Sequence, residues 1–322
     1  MGNIHEYIVG DASRDFHGWY YITVAYGLAI FLQSVSLIVT LVKDDIRVLD
    51  LSSGPTMATV ALFTIIARNL YLPRHIVCTS LTLLWSLRVW RLVYNMKVSP
   101  RADVSNQEIE NNVPVLRDRK LSGKDILRIA FSRTVFVTIS ILPIVWVNVL
   151  DSAHNGSRFP HESHDWFAFF LCISALLWTV LADTVRQRAA HDITEPNYHR
   201  VARKLKTRIF QLYTDFTVAT SGPWAFSRHA DAFGTAVYQI GIYMLVCRHT
   251  PFFTALPMLL STFGFLLLPG GFSMIEAQRM ELLWDCPWYL QYKDSTSPFW
   301  PVSPYFYKKV PNNIKRILCY DY

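Results

Sequence analysis

The sequence predicts an all-α membrane protein, a bundle of about seven transmembrane helices, on three observations. Apolar residues make up 52% of the 322 positions and charged residues only 17%, against roughly 25% charged in water-soluble domains. The apolar residues gather into runs long enough to cross a hydrocarbon core of roughly 30 Å, which a helix rising ~1.5 Å per residue spans in about 20 residues. The basic residues lie between those runs, mostly on one side of them. The excess of 31 Lys and Arg over 24 Asp and Glu, a net charge of +7, therefore needs no nucleic acid to explain it. The same composition excludes disordered, collagenous and coiled-coil classes.

The first run, 20–42, carries no charge and stops at Lys43-Asp44-Asp45; it starts too late and runs too long for the core of a cleaved signal peptide. Residues 1–19 form an N-terminal tail. The second run, 48–67, has Asp50 near its start and Gly54-Pro55 inside, which predicts kinked or broken first turns. The third, 76–94, contains Arg88 and Arg91; the fourth is 134–150; the fifth, 166–181, is bracketed by Asp165 and Asp183. The sixth, 233–247, is short and interrupted by Gln239, and the seventh, 251–272, closes at Pro269-Gly270-Gly271. These runs lack the strict alternation of a transmembrane β-barrel. The chain reads as one integral-membrane domain over 1–322, with connectors 95–133 and 186–231 and a C-terminal segment 273–322.

Alternate connectors of seven spans share a side. By that tally 24 of the 31 basic residues fall on one side and five on the other, the remaining two being Arg88 and Arg91. The asymmetry predicts a lumenal N-terminus and a cytoplasmic C-terminus, with the endoplasmic reticulum as the expected membrane. The sequon Asn155-Gly156-Ser157 falls on the lumenal side by this count. Five cysteines show no paired spacing and ten histidines are scattered, so neither a disulfide framework nor a metal site is predicted. No Gly-rich phosphate loop follows a strand pattern, which excludes a soluble Rossmann domain.

A charge in mid-membrane costs about 2.5–3.5 kcal/mol on insertion scales, so each needs a reason. Arg88 and Arg91, three apart near the end of their span, either snorkel to water or meet an anionic cofactor or headgroup. Asp50 sits at a helix start, where the dipole favours an acid; Asp183, at a helix end, has no such excuse and is the better functional candidate, followed closely by Arg186 and Arg188. Gln239 reads as interhelical glue, with substrate contact the alternative. The densest polar and aromatic cluster is 221–234, Ser-Gly-Pro-Trp-Ala-Phe-Ser-Arg-His-Ala-Asp-Ala-Phe-Gly. Arg228 and His229 supply donors for phosphate or carboxylate, Trp224 and Phe226 flat faces for a nucleobase, and Gly234 close packing at a helix start. An interfacial aromatic belt is the alternative reading of the same residues.

At this cluster the chain resembles the steroid 5-alpha-reductase C-terminal superfamily, in its DUF1295 branch. That branch reads approximately G-L-W-R-Y-S-R-H-P-N-Y-F-G-E; this sequence has Gly222, Trp224, Ser227, Arg228, His229, Phe233 and Gly234 at the matching places. Leu84-Trp85-Ser86-Leu87-Arg88 is similar to the family's L-W-x-L-R, Ala182-Asp183 to an A-D pair after its fifth span, and Glu276-Ala277, Trp284, Pro287, Tyr289 and Tyr292-Lys293 to its C-terminal segment. The resemblance implies a bundle holding NADPH, a hydrophobic substrate entering from the bilayer, and hydride transfer to an activated C=C bond of a lipid or steroid-like molecule while a polar group stabilises the developing oxyanion. It implies that Asp183, Arg228, His229, Glu276, Tyr289 and Tyr292 line or support the cofactor cavity. Arg188, Trp224, Ser227, Asp231 and Gly234 complete the expected cofactor-binding set; no catalytic acid is assigned.

The chain departs from the family pattern at Ala225, Ala230, Asp231 and Thr235, where the family has Arg, Pro, Asn and Glu. A carboxylate about 4 Å from a diphosphate charge opposes it by ~4 kcal/mol at an effective dielectric near 20. Isoprenylcysteine carboxyl methyltransferases share an R-H-P-x-Y-x-G element, and their cofactor, S-adenosylmethionine, carries a sulfonium that tolerates such a carboxylate. A membrane methyltransferase is therefore the second expectation, and a relative that retains the fold without the chemistry the third.

Overall fold

In the computed structural model, which describes residues 4–43, 47–69, 71–98, 123–149, 163–191, 219–247 and 287–319, the regular elements are all helices and no strand occurs among the described residues. They are α1 (Ile4–Lys43), α2 (Arg47–Arg68), α3 (Pro73–Val98), α4 (Gly123–Val149), α5 (Ser163–His191), α6 (Ala230–Val246), α7 (Pro287–Ser295), α8 (Pro304–Lys309) and α9 (Asn312–Cys319), with a 3-10 turn at Gly222–Ala225 before α6. Each of the first six predicted runs falls on one helix to within a residue at its ends. The seventh run and the sequon lie outside the described residues.

Among the described residues two helices are long and apolar enough to cross a membrane, over Gly18–Val42 in α1 and Ser163–Arg188 in α5, and α4 adds a shorter apolar stretch, Thr134–Val149. Their large apolar side chains face outwards: Phe31, Ile38 and Val42 on α1, and Phe167, Phe170, Leu177 and Leu181 on α5, are exposed. A helix in a water-soluble core turns such residues inwards, so these exposed surfaces suggest membrane association.

One expectation is corrected. α2 runs unbroken through Gly54-Pro55. Pro55 removes one backbone donor from the helix without ending it. The glycine serves a close helix crossing: a Cβ on Gly54 would stand 2.7 Å from the Ser86 carbonyl oxygen of α3. The N-terminal tail is helical from Ile4, and the connectors are helical at their edges, α3 reaching Val98, α4 starting at Gly123 and α5 continuing to His191. Helices stop where capping and backbone pairing stop, not where apolarity stops.

The chain divides into two compact units, one from Met1–Arg91, Ile126–Ile173 and Tyr238–Thr262, the other from Leu92–Asp125, Ser174–Val237 and Phe263–Tyr322. Buried polar side chains join the helices of the first. Gln33 on α1 donates its Nε2 to Thr56 Oγ1 on α2 at 2.9 Å. Asn148 on α4 donates to Thr64 of α2 at 3.0 Å and to Thr79 of α3 at 3.1 Å. Trp85 stacks on Tyr238 with ring centroids 4.3 Å apart. Gln239, expected as interhelical glue, is buried in the same unit.

Arg74 was counted as a lumenal connector residue, yet it is buried to 1% exposure. Its guanidinium forks onto Asp165, Nη1 to Oδ1 at 3.0 Å and Nη2 to Oδ2 at 2.7 Å, and Nη1 also donates to the Leu245 carbonyl at 2.8 Å. A cation thus caps the last turn of α6 while its partner acid occupies the first turn of α5, both favourable to the helix dipoles. The start of α3, the start of α5 and the end of α6 therefore meet at one end, the three places that the charge tally assigns to one side.

A candidate cofactor site around the 3-10 turn

Nine of the eleven sequence-predicted site residues gather in the second unit around the turn Gly222–Ala225. The turn forms because of its first two residues. Gly222 adopts φ +60°, which other residues resist, and Pro223 pre-sets the first helical dihedral. A Cβ on Gly222 would also approach Val185 to 3.2 Å. The turn aims the Trp224 indole inwards, where Nε1 donates to the Ala182 carbonyl of α5 at 2.8 Å.

From the other side Tyr292 of α7 donates its hydroxyl to the Trp224 carbonyl at 2.7 Å. Ser227 sets the next corner. Its hydroxyl donates to the Phe299 carbonyl at 2.8 Å and accepts the His229 amide at 3.2 Å, while the Arg228 amide donates to the Ser297 carbonyl at 2.8 Å. Residues 227 and 297 form an isolated parallel bridge, so the loop is pinned to the segment that follows α7. Arg228, His229 and Tyr289 are all buried.

α6 starts directly after this corner. Gly234 lets its first turn lie against α5, since a Cβ there would overlap the Thr179 methyl group and touch the Trp178 ring. The Trp178 indole donates to the Ala230 carbonyl at 2.9 Å. Asp231 turns its carboxylate to the helix start, Oδ1 accepting the Ala232 amide at 2.9 Å.

The charge most in doubt from sequence, Asp231, has its partner in Arg186, which the sequence places beside Asp183 and not beside Asp231. Arg186 donates from Nη1 to Asp231 Oδ2 at 3.3 Å and brings Nη2 to 4.0 Å from Asp183 Oδ1. The same guanidinium lies 5.7 Å from the centroid of the Trp224 ring. One face of that ring, expected to receive a nucleobase, therefore carries an arginine. The signal was present in the sequence: Asp183 and Arg186 are three apart, hence neighbours on one helix face once α5 is known to continue past the apolar run.

The remaining predicted residues are separate. Arg188 is exposed on the last turns of α5. Glu276 lies outside the described residues. In the first unit Arg88 places its guanidinium 4.6 Å over the Trp85 ring, and Arg91 is exposed. Among the described residues no group of three or more His, Cys, Asp or Glu could hold a metal ion, and Cys78, Cys172 and Cys247 form no disulfide with one another.

The family model described as Protein of unknown function (DUF1295) matches residues 36–296. The chain belongs to the DUF1295 family. No curated protein and no solved structure matches it. The DUF1295 match runs from the middle of α1 through α7 and so contains the turn, both acids and both tyrosines of the cluster. It stops at the threonine before the Ser297 bridge, leaving α8 and α9 beyond the family match although the bridge ties them to its most polar loop.

Proposed function

We propose that this DUF1295 protein is an integral-membrane oxidoreductase of seven spans, N-terminus lumenal, that uses NADPH to reduce an activated C=C bond of a lipid or steroid-like substrate reaching it through the bilayer. One observation carries the proposal. Three segments that resemble the reductase superfamily, Ala182-Asp183, the 222–234 cluster and the α7 tyrosines, are joined by hydrogen bonds through Trp224. Residues far apart in sequence thus serve one place, as a binding site requires.

NADPH, when bound, supplies the hydride; the chain's own residues hold and screen it. The planar guanidinium of Arg228 and the ring donors of His229 suit phosphate oxygens. Trp224, Ser227, Tyr292 and Gly234 position that pair, because their polar atoms are spent on backbone groups or they exist for close approach. Asp231 would oppose a diphosphate, and Arg186 at 3.3 Å offsets that charge. The group set therefore fits an anionic nucleotide with Arg186 counted in and fits poorly without it.

The second reading is an S-adenosylmethionine-dependent methyltransferase, favoured by the Asp231 carboxylate, which would attract a sulfonium. Purified protein in mild detergent separates the two. Saturating NADPH is expected to raise the melting temperature and S-adenosylmethionine to leave it unchanged. Arg228→Lys, which retains the charge and loses the fork, should reduce the NADPH shift. An unchanged melting curve with NADPH refutes the reductase, and stabilisation by neither ligand supports a non-catalytic relative.

A further inference from the structure

The chain beyond the family match presents large apolar rings outwards while its backbone is held tightly. Tyr305 and Phe306 of α8 are 62% and 64% exposed, Trp300 is 46% exposed and Phe226, across a backbone bond from Val302, is 42% exposed. These side chains are not on a loose tail. The Val302 amide donates to the Phe226 carbonyl at 3.2 Å, and Trp300 packs against Phe233 with centroids 6.2 Å apart. Tyr307 points the opposite way and is fully buried, so α8 has a core face and an outward aromatic face.

Lysines accompany the rings. Lys309 holds its Nζ 3.9 Å from the Tyr305 ring centroid and donates to that hydroxyl at 2.6 Å. Lys308 is exposed, and Lys315 on α9 sits 4.5 Å from the Tyr307 ring. α6, the sixth apolar run, begins only four residues after Phe226. The outward rings thus stand near the point where the chain enters the proposed bilayer.

We propose that the segment 300–315 is an interfacial foot that docks on the anionic lipid headgroups of the leaflet where α6 begins. Aromatic rings take the level between headgroup and acyl chain, and ammonium groups beside them take lipid phosphate and carboxylate. The charge decides between occupants. A second copy would set lysine against lysine, whereas an anionic leaflet complements it. The inference rests on the membrane reading of α6 and is independent of any cofactor.

The test is amide hydrogen exchange on the full-length protein in three settings: mild detergent, phosphatidylcholine nanodiscs, and nanodiscs containing phosphatidylserine. Amides of α8 and α9 are expected to exchange about fivefold more slowly in the anionic discs than in the other two. The difference should vanish in Lys308→Glu/Lys309→Glu and in Tyr305→Ser/Phe306→Ser, while the α7 amides, unchanged throughout, report an intact fold. Equal exchange in all three settings overturns the proposal. So does equal protection in both kinds of disc, which would mean docking without anionic recognition, and so does protection that grows with protein concentration in detergent, which would mean a second copy. A chain released from membranes by carbonate loses the bilayer reading itself, so that failure is distinguishable from a failure of docking.

Discussion

Asp231 shows how one side chain changes meaning when its neighbour is known. In sequence it is a carboxylate where the family pattern has an amide. In the structure it accepts an amide in the first turn of its own helix and pairs with Arg186 on a partly buried surface, 30% of the acid side chain and 13% of the arginine side chain being accessible. An ion pair with this access to solvent is worth up to about 1 kcal/mol, not the ~4 kcal/mol of an unscreened clash. Asp231→Asn should therefore tighten NADPH by about fivefold and weaken any S-adenosylmethionine, read by ligand titration of the melting temperature. Arg74 lies at the opposite extreme, fully desolvated against Asp165. Arg74→Met strands a buried carboxylate and should cost about 3–5 kcal/mol in denaturant unfolding, whereas Arg74→Met with Asp165→Leu should recover much of that loss. Additive losses in the double variant would mean the pair is not the source of the effect. Neither partner was legible from sequence: one looked like a connector base, the other like the bracket of an apolar run.

At the scale of elements, the apolar runs located the helices well and their ends poorly. Hydrocarbon burial is felt residue by residue, so a run of Leu, Val and Phe marks its own helix; the charged turns that extend it carry no such mark. The omission mattered for the site, because Asp183 and Arg186 share a helix face only if α5 continues past Leu181. Helix crossings were equally silent. Gly54 looked like a break and proved to be a contact, and Gly27 faces open space with nothing within 4 Å of an added Cβ. Gly54→Ala should destabilise the protein by about 1–3 kcal/mol, since a backbone carbonyl cannot step aside, while Gly27→Ala leaves thermal stability in detergent unchanged or slightly raised. Equal effects would remove the close crossing. Tyr292→Phe should cost about 1 kcal/mol through its lost bond to the Trp224 carbonyl, with a reduced cofactor response if the turn shifts.

For the whole molecule, the decisive property is the outward-facing apolar surface of α1 and α5. A protein with that exterior should remain in the membrane pellet after alkaline carbonate treatment, and recovery in the supernatant would contradict the spans. Topology has its own check. A tag at the C-terminus should be cleaved by protease added to sealed, cytoplasmic-side-out vesicles, as the basic asymmetry requires. Protection of that tag would invert the assignment.

Transfer from water to hydrocarbon sums along a run, and the preference of basic residues for one side sums over connectors. Sequence by itself therefore determined the helical class, six of the helix positions and the charge asymmetry, and the motif spacing determined the family. Which side chains meet was decided only by the tertiary structure: Arg186 beneath Asp231 and over Trp224, Tyr292 on the turn, Arg74 between α5 and α6. A hydrogen bond or ion pair depends on two groups whose separation along the chain says nothing about their separation in space, and only the packed helices set that second distance.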